Sequence, residues 1–505
     1  MIQFPFLGWS QIHQGATAWD GNRRPRPCDL PWGVRLDVQR ATVGEPLFPL
    51  DRPWEARRNL EWACTLQEDG RVRLWYTLSG LPEERKVGQL VCYAESDSGD
   101  EWSIPSLGLK EVDGSADNNV VSVGTPSFCI LKTPHESPDR QYRATFHRAW
   151  WEDGEGNTIP SEEGMRRLRH NNATTREADK IPTALKMALF GMSSPDGLHW
   201  SDGFGPILDE WHDTHNICAY DPALGVYRFY LRGFYARRRG VSYAESRTLE
   251  HFPPSRILFG RGPADAPDES IYSNAYCTYP GRPDLHLMFP GIYRMTEDDS
   301  YGQIAFSEDG YAWERHAGVA AIEPRPEDRG GVYPEPSVVR DSSHRRFRVL
   351  LRCEGAAHNE GYNPELAPTE RKVGCLRWAD WEEDRLCGIR ADGDGGFTTK
   401  IMPIGRRLLA NYRTEHDGWI ELELVDRLTW PPTQVAGVTG YQFGDCERLE
   451  GDESAKPVRF RGTDDLSTLS GRYAVRVRLH KATLFSLAVE GVASPTEEPD
   501  PRFPV

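Results

Sequence analysis

Four carboxylates fall at comparable points of a pattern that recurs along this 505-residue chain: Glu55 in RPWEARRN, Asp213 in EWHDTHN, Glu269 in PDESIYSN and Glu335 in VYPEPSVV. Each stands near the start of a run with strand character, and a fifth segment, SADNNVV, offers Asn118 at the equivalent place. Carboxylates delivered to one pocket by separate segments suit general acid/base chemistry. One, protonated, donates to a leaving oxygen, and another attacks or activates water. A third holds hydroxyl groups and tunes the proton affinity of its neighbours. Any one of these acids read alone is equally a solvated turn residue; the repetition sets them apart.

Aromatic and bidentate groups cluster around the same points: Trp54, Arg57, His212, His215, Asn216, Tyr272 and Tyr333. Trp and Tyr faces stack on sugar rings, while Arg and Asn fork onto vicinal hydroxyls. His212 and His215 have the spacing of a metal pair, but no third ligand falls in register, so neither a metal nor a cofactor is expected. The ten cysteines are scattered without a CxxC pair and read as small buried hydrophobes with free thiols.

The elements that must position these groups are short strands. VRLWYTL (72–78), QLVCYAES (89–96), RFYLRG (228–233), DLHLMF (284–289) and RFRVLLRC (346–353) are β-branched or aromatic and are bounded by Gly, Pro, Asp or Asn. A phrase of strand, Ser, acidic-Gly turn and Trp recurs, ending at Trp102, Trp200 and Trp313, with degenerate copies ending at Phe252 and lying near 373–386. Each phrase follows an inner strand, a turn and a middle strand. Units of roughly fifty residues with four strands apiece predict an all-β fold: a five-bladed β-propeller over 45–390, with the Trp packing between blades. A polar stretch at about 150–182 reads as an insertion, helical or flexible. Residues 1–44 read as an N-terminal extension. From 391 to 505 the pattern alternates with period two, as in GRYAVRVRLHKATLFSLAVE, and predicts a C-terminal β-sandwich.

Composition narrows the function classes. With 38% hydrophobic and 27% charged residues the chain is globular, and no apolar run is long enough for a membrane-spanning helix. A net charge of -16 argues against nucleic acid and anionic membranes as partners. The N-terminus lacks a basic region and a sustained apolar core, so the chain as written reads as cytoplasmic; a trimmed export signal would make it periplasmic or secreted. An exposed sandwich edge would allow a homo-oligomer.

The segments YAESDSGDEWSIPSLGL, SADNNVV, HDTHNICAYDP and ESIYSNAYCTYPG, with the tail from GWIELELVD to GRYAVRVRLHKATLFSL, resemble the glycoside hydrolase family 32/43-like furanosidases, in a divergent bacterial branch. The resemblance covers about 45–490. It implies a catalytic five-bladed propeller followed by a sandwich, with a nucleophile or base at Glu55, a stabilising acid at Asp213 and an acid at Glu269, or at Glu335 in its place. Two family phrases differ here: Asn-Asp-Pro around the first acid is absent, and HDT stands where Arg-Asp-Pro is found. The Ser-x-Asp-Gly-x-x-Trp turn is similar to the Asp-box of sialidases, one residue shorter. The expectation is therefore a glycosidase that removes terminal, furanoside-type residues from oligo- or polysaccharides. The alternatives are a non-catalytic carbohydrate-binding propeller and a lyase or sialidase-like enzyme.

Overall fold

The computed structural model of the chain describes every residue except 20, 21, 23, 57, 81–87, 214, 361–373, 427–436, 470 and 493–505. In the strand Arg71–Gly80 most side chains are buried, because both faces of the strand are covered. Leu74 and Tyr76 point into one core and Trp75 into another, the period-two alternation of a strand held between two layers.

Five antiparallel sheets succeed one another along the described residues, each a path of four strands. The first runs through Arg58–Glu68, Arg71–Gly80, Leu90–Ser96 and Val120–Val123. The second uses Cys129–Lys132, Tyr142–Asp153, Thr183–Ser194 and Phe204–Leu208, and the third Ile217–Asp221, Val226–Tyr235, Arg238–Ser246 and Arg256–Phe259. The fourth is Tyr276–Tyr279, Arg282–Met288, Ala305–Ser307 and Glu314–Arg315. Gly331–Asp341, Arg346–Glu354 and Cys375–Glu382 make the fifth, whose outermost strand is Thr42–Val43 from far earlier in the chain.

Each successive pair of sheets shares an apolar core, and the cores close a circuit. Trp75 and Tyr93 of the first sheet pack with Phe146 of the second and with Phe128 just ahead of it, and Leu131 and Leu189 with Phe229 and Leu231 of the third. Tyr230 and Val241 meet Tyr276 and Met288 of the fourth, and Leu287 and Phe306 meet Phe347 and Leu351 of the fifth. Leu350 and Trp378 of the fifth then pack against Leu74 and Tyr76 of the first.

The repeated turns latch these layers. Ser96, Ser194 and Ser307 accept the N–H of Gly99, Gly197 and Gly310 at 2.8–2.9 Å, and the Trp that ends each phrase donates back to that glycine's carbonyl at 3.1 Å. The same carbonyls also take a donor from the preceding sheet: Trp378 for Gly99, Trp75 for Gly197 and Tyr230 for Gly310. The Phe252 ring has no N–H to give, and it packs on Phe229 instead.

Residues 150–182 hold a hairpin end, Thr158–Ile159, and the helix Ser161–Ala173. The five described strands beyond 386 form, with two strands from the N-terminal residues, one continuous seven-stranded sheet. Arg407–Val425 and Arg472–Glu490, 19 residues each, run side by side through register shifts at Asn411/Tyr412 and Thr414/Trp419. Bulges of this kind bend a strand, which lets one sheet curl around the core of Leu422, Leu479 and Phe460. The N-terminal residues join in: Ile2–Pro5 pairs with Arg472–Glu490, and Arg35–Val38 with Cys387–Thr398. Among the described residues no helix is long and apolar enough to cross a membrane.

Candidate functional site

In an antiparallel sheet the start of one strand lies beside the end of its neighbour. The cavity at these strand ends, about 290 Å³, is accordingly lined both by starts of first strands and by ends of second ones. Glu61 and Trp62 come from the start of Arg58–Glu68, His147 from within Tyr142–Asp153, and Arg352 and Glu354 from the end of Arg346–Glu354. Asp213 arrives on the segment leading into the third sheet. Tyr272 comes from Glu269–Ser273, part of a three-stranded extension ahead of the fourth sheet.

Asp213 is held from beneath. Arg232 Nη1 donates to its Oδ2 at 2.6 Å, while Nε and Nη2 donate to the Tyr272 carbonyl at 3.1 and 2.8 Å. The Arg232 side chain is 1% exposed and that of Asp213 46%, so the pair sets a solvent-facing carboxylate on a buried guanidinium. The bidentate grip on the Tyr272 carbonyl fixes the guanidinium plane. His147, nearby, is kept below the usual histidine range by burial, with Asp213 acting in the opposite direction.

Glu354 is the second acid. Burial disfavours its charge, but Arg352 and His358 outweigh that and hold its carboxyl below the usual range. Arg352 bonds Glu354 directly and lies 4.6 Å from the Trp62 ring centroid and 3.9 Å from that of Tyr333. His358 Nδ1 sits 2.9 Å from the Tyr333 hydroxyl and 3.3 Å from Glu354 Oε2. The third acid, Glu61, accepts from the Ser79 hydroxyl. Three carboxylates from three parts of the chain thus face one cavity beside two aromatic rings.

Below the cavity lies a buried pair. His215 stacks on Trp62 at 4.5 Å, and its Nδ1 is 3.3 Å from Glu335 Oε2. Both side chains are wholly shielded from solvent. Burial, with Arg352 and Arg232 adding to it, pushes His215 down to about 3. Burial also raises Glu335 well above the carboxylate range against the pull of Arg352. Both shifts favour the uncharged form, a neutral imidazole beside a neutral carboxyl.

Of the residues expected at the site, Asp213 and Tyr272 line the cavity. Glu55 is fully buried; Tyr76 donates to its Oε1 at 2.6 Å and Arg52 to its Oε2 at 3.1 Å. It belongs to a network with Trp54 and Asn119 at the join of the first and fifth sheets. Asn118 pins a loop through the carbonyls of Lys110 and Ser115. Glu269 pairs across from Arg294 at the far end of the extension, accepting from Tyr301 at 2.9 Å, and it does not line the cavity. His212 bridges the Arg232 carbonyl and Glu210, both at 2.9 Å, and Asn216 ties the His212 carbonyl to the Arg232 N–H. Both steady the segment that carries Asp213. Tyr333, His215 and Glu335 lie beneath the cavity floor, and Arg57 falls outside the described residues.

Glu61, Trp62, His147, Glu354 and His358 were not singled out from the sequence. The signal was present in LEWACT, ATFHRAWW and RCEGAAHNE, where polar groups sit at the start of a first strand or near the end of a second. Attention to the residues ahead of first strands alone passes over the second-strand half of the wall.

No protein-family model matches the chain, and no curated protein sequence does. Solved structures that it is similar to include the β-1,2-mannobiose phosphorylase from Listeria innocua in complex with β-1,2-mannobiose, at TM-score 0.42 and 12% identity, covering 70% of this chain and 98% of that one. The catalytic domain of the Coprinopsis cinerea GH62 α-L-arabinofuranosidase aligns at TM-score 0.40 and 9% identity, over 68% and 97%. The α-L-arabinofuranosidase PaAbf62A from Podospora anserina aligns at TM-score 0.41 and 8% identity, over 68% and 98%.

Proposed function

We propose that the chain is a glycosidase whose five sheets are the blades of a β-propeller and whose catalytic groups are Glu61, Asp213 and Glu354. One observation carries the reading: three carboxylates from separate sheets converge on a cavity walled by Trp62 and Tyr272. A glycosidic bond needs a proton donor on one side and a carboxylate on the other, with an aromatic face to seat the ring. Asp213, paired with Arg232, suits the carboxylate that stabilises positive charge developing at the anomeric carbon. Glu354, kept charged by Arg352 and His358, suits the base or nucleophile. Among the described residues Glu61 takes a hydroxyl donor and no cation, which suits the acid.

A specific grouping favours a second reading. His147, kept neutral by burial, shares the cavity with Tyr272 and Arg352, the base, acid and carboxylate-binding set that a uronate lyase requires. Incubation with a panel of glycans and aryl glycosides, furanosides included, separates the two. Products carrying the elements of water support the glycosidase. Unsaturated products lacking them support the lyase, and binding without any product overturns both.

A further inference from the structure

Strand pairing sets Cys353 directly opposite Cys375 on neighbouring strands of the fifth sheet. Directly opposed residues project from the same face, so the two sulfurs meet although 22 positions separate them in sequence. Asp328 reaches the same spot from the turn before Gly331–Asp341. Gly331 donates its N–H to the Asp328 carbonyl at 2.9 Å, and Gly330 donates to the Glu354 carbonyl, next to Cys353, at 2.8 Å. One carboxylate oxygen and the two sulfurs lie within 4.8 Å of one another.

Cys353 is fully buried, Asp328 is 4% exposed, and Cys375 is partly exposed. Buried carboxylate oxygens are ordinarily supplied with hydrogen bonds. Asp328 Oδ2 accepts none, with only an ion pair to Arg377 Nε at 3.2 Å. Asp328 Oδ1 accepts from Arg377 Nη2 at 3.3 Å, so a buried carboxylate with spare lone pairs on Oδ2 stands within reach of two sulfurs, a set of ligands for a Lewis acid.

We propose that Cys353, Cys375 and Asp328 bind one divalent cation of the zinc class, with a fourth position open to water at the Cys375 side. Two thiolates and one carboxylate are donors for a borderline-soft ion and not for calcium or magnesium. Each thiol gives up its proton as its bond to the metal forms, so two protons leave per cation. Two thiolates and a carboxylate around a dication leave one negative charge, and Arg377 stands where it balances that charge. Glu354 is next after Cys353 and Gly374 precedes Cys375, and both line the cavity, so the cation staples two pieces of the cavity wall. The proposal is independent of what the cavity acts upon.

The test is a cobalt(II) titration of the reduced, chelator-treated full chain. The expected result is a sulfur-to-cobalt charge-transfer band in the near ultraviolet with visible bands of a tetrahedral ion. Both saturate at one cobalt per chain and are displaced by zinc. Cys353→Ser/Cys375→Ser, with every other cysteine in place, should lose the band. Asp328→Asn should weaken cobalt binding by about tenfold or more. Absence of the band in the unaltered protein at excess cobalt overturns the proposal, as does a band that persists in the folded double variant. The titration of the unaltered protein decides the matter even where a variant does not fold.

Discussion

The indole N–H of Trp378, in the fifth sheet, donates to the carbonyl of Gly99, in a turn of the first, at 2.7 Å. That carbonyl already holds the indole of Trp102, so one oxygen joins the turn to its own sheet and to the sheet before it. Trp378→Phe keeps a ring in the core and removes only the donor and part of the indole. Stability should fall by about 2 kcal/mol, read as a shift of the denaturant midpoint at unchanged slope. An unchanged midpoint would show that the latch carries no energy.

The glycine of these turns is required by geometry. Gly310 has φ +78°, and a Cβ there would lie 1.7 Å from Arg228 Nη1. Gly156, at φ +85°, has nothing within 4 Å of that position. Gly156→Ala should cost about 1–2 kcal/mol, the penalty of the left-handed backbone alone. Gly310→Ala should cost distinctly more, because Arg228 must also leave its bond to the Asp309 carbonyl. Denaturation of the two variants side by side checks the order.

Asp213 is half exposed, so Asp213→Asn should fold as the parent does. It should lower kcat on a cleaved glycan by about a hundredfold to ten-thousandfold. Glu354→Gln should behave similarly, whereas Glu269→Gln and Glu55→Gln should act through stability, since neither lines the cavity. Initial rates together with melting temperatures distinguish the two classes.

The buried pair beneath the cavity makes stability depend on pH in a defined way. Folded, with His215 neutral and Glu335 protonated, the two together hold one titratable proton. Unfolded, with ordinary values of 6.5 and 4.5, they hold two below pH 4.5, one between 4.5 and 6.5, and none above. Their contribution to stability therefore rises from pH 3 to 4.5 and is level to 6.5. Above 6.5 it falls by about 1.4 kcal/mol per pH unit until Glu335 ionises. Glu335→Gln should abolish the fall above 6.5 and extend the rise from 4.5 up to 6.5, since His215 alone then sets the slope. Urea midpoints of the two proteins across this range provide the check, and parallel curves above pH 6.5 would refute it.

How far the fold was legible depended on which constraints are local. The turns ending at Trp102, Trp200 and Trp313 bond as their Ser, Gly and Trp spacing implied, because a turn is closed by residues within a few positions of each other. The helix at Ser161–Ala173 likewise stands inside the polar stretch at 150–182. The site was legible only in part. Asp213 and Tyr272 line the cavity, but Glu55 and Glu335 share their sequence setting and are drawn into cores by neighbours remote in the chain, Tyr76 for one and His215 for the other. Glu269 is carried away on a three-stranded extension that leaves the fourth sheet just ahead of Ala275, a left-handed residue at φ 45° that gives no warning in sequence. Cys353 and Cys375 meet only through strand register, which no local spacing encodes.

The strand Ile2–Pro5 lies antiparallel along Arg472–Glu490, with Ile2 beside Val489 and Pro5 beside Ser486. If the chain is drawn apart at Ile2 and Glu490, both points of pull sit at the same end of that pairing. The load then falls on one hydrogen bond at a time and peels the strands, where pulling from opposite ends would shear all four residue pairs together. Tethered in this way, the molecule yields first along its N-terminal edge, at low force, while the circuit of five sheets and the cavity it encloses stay unstressed.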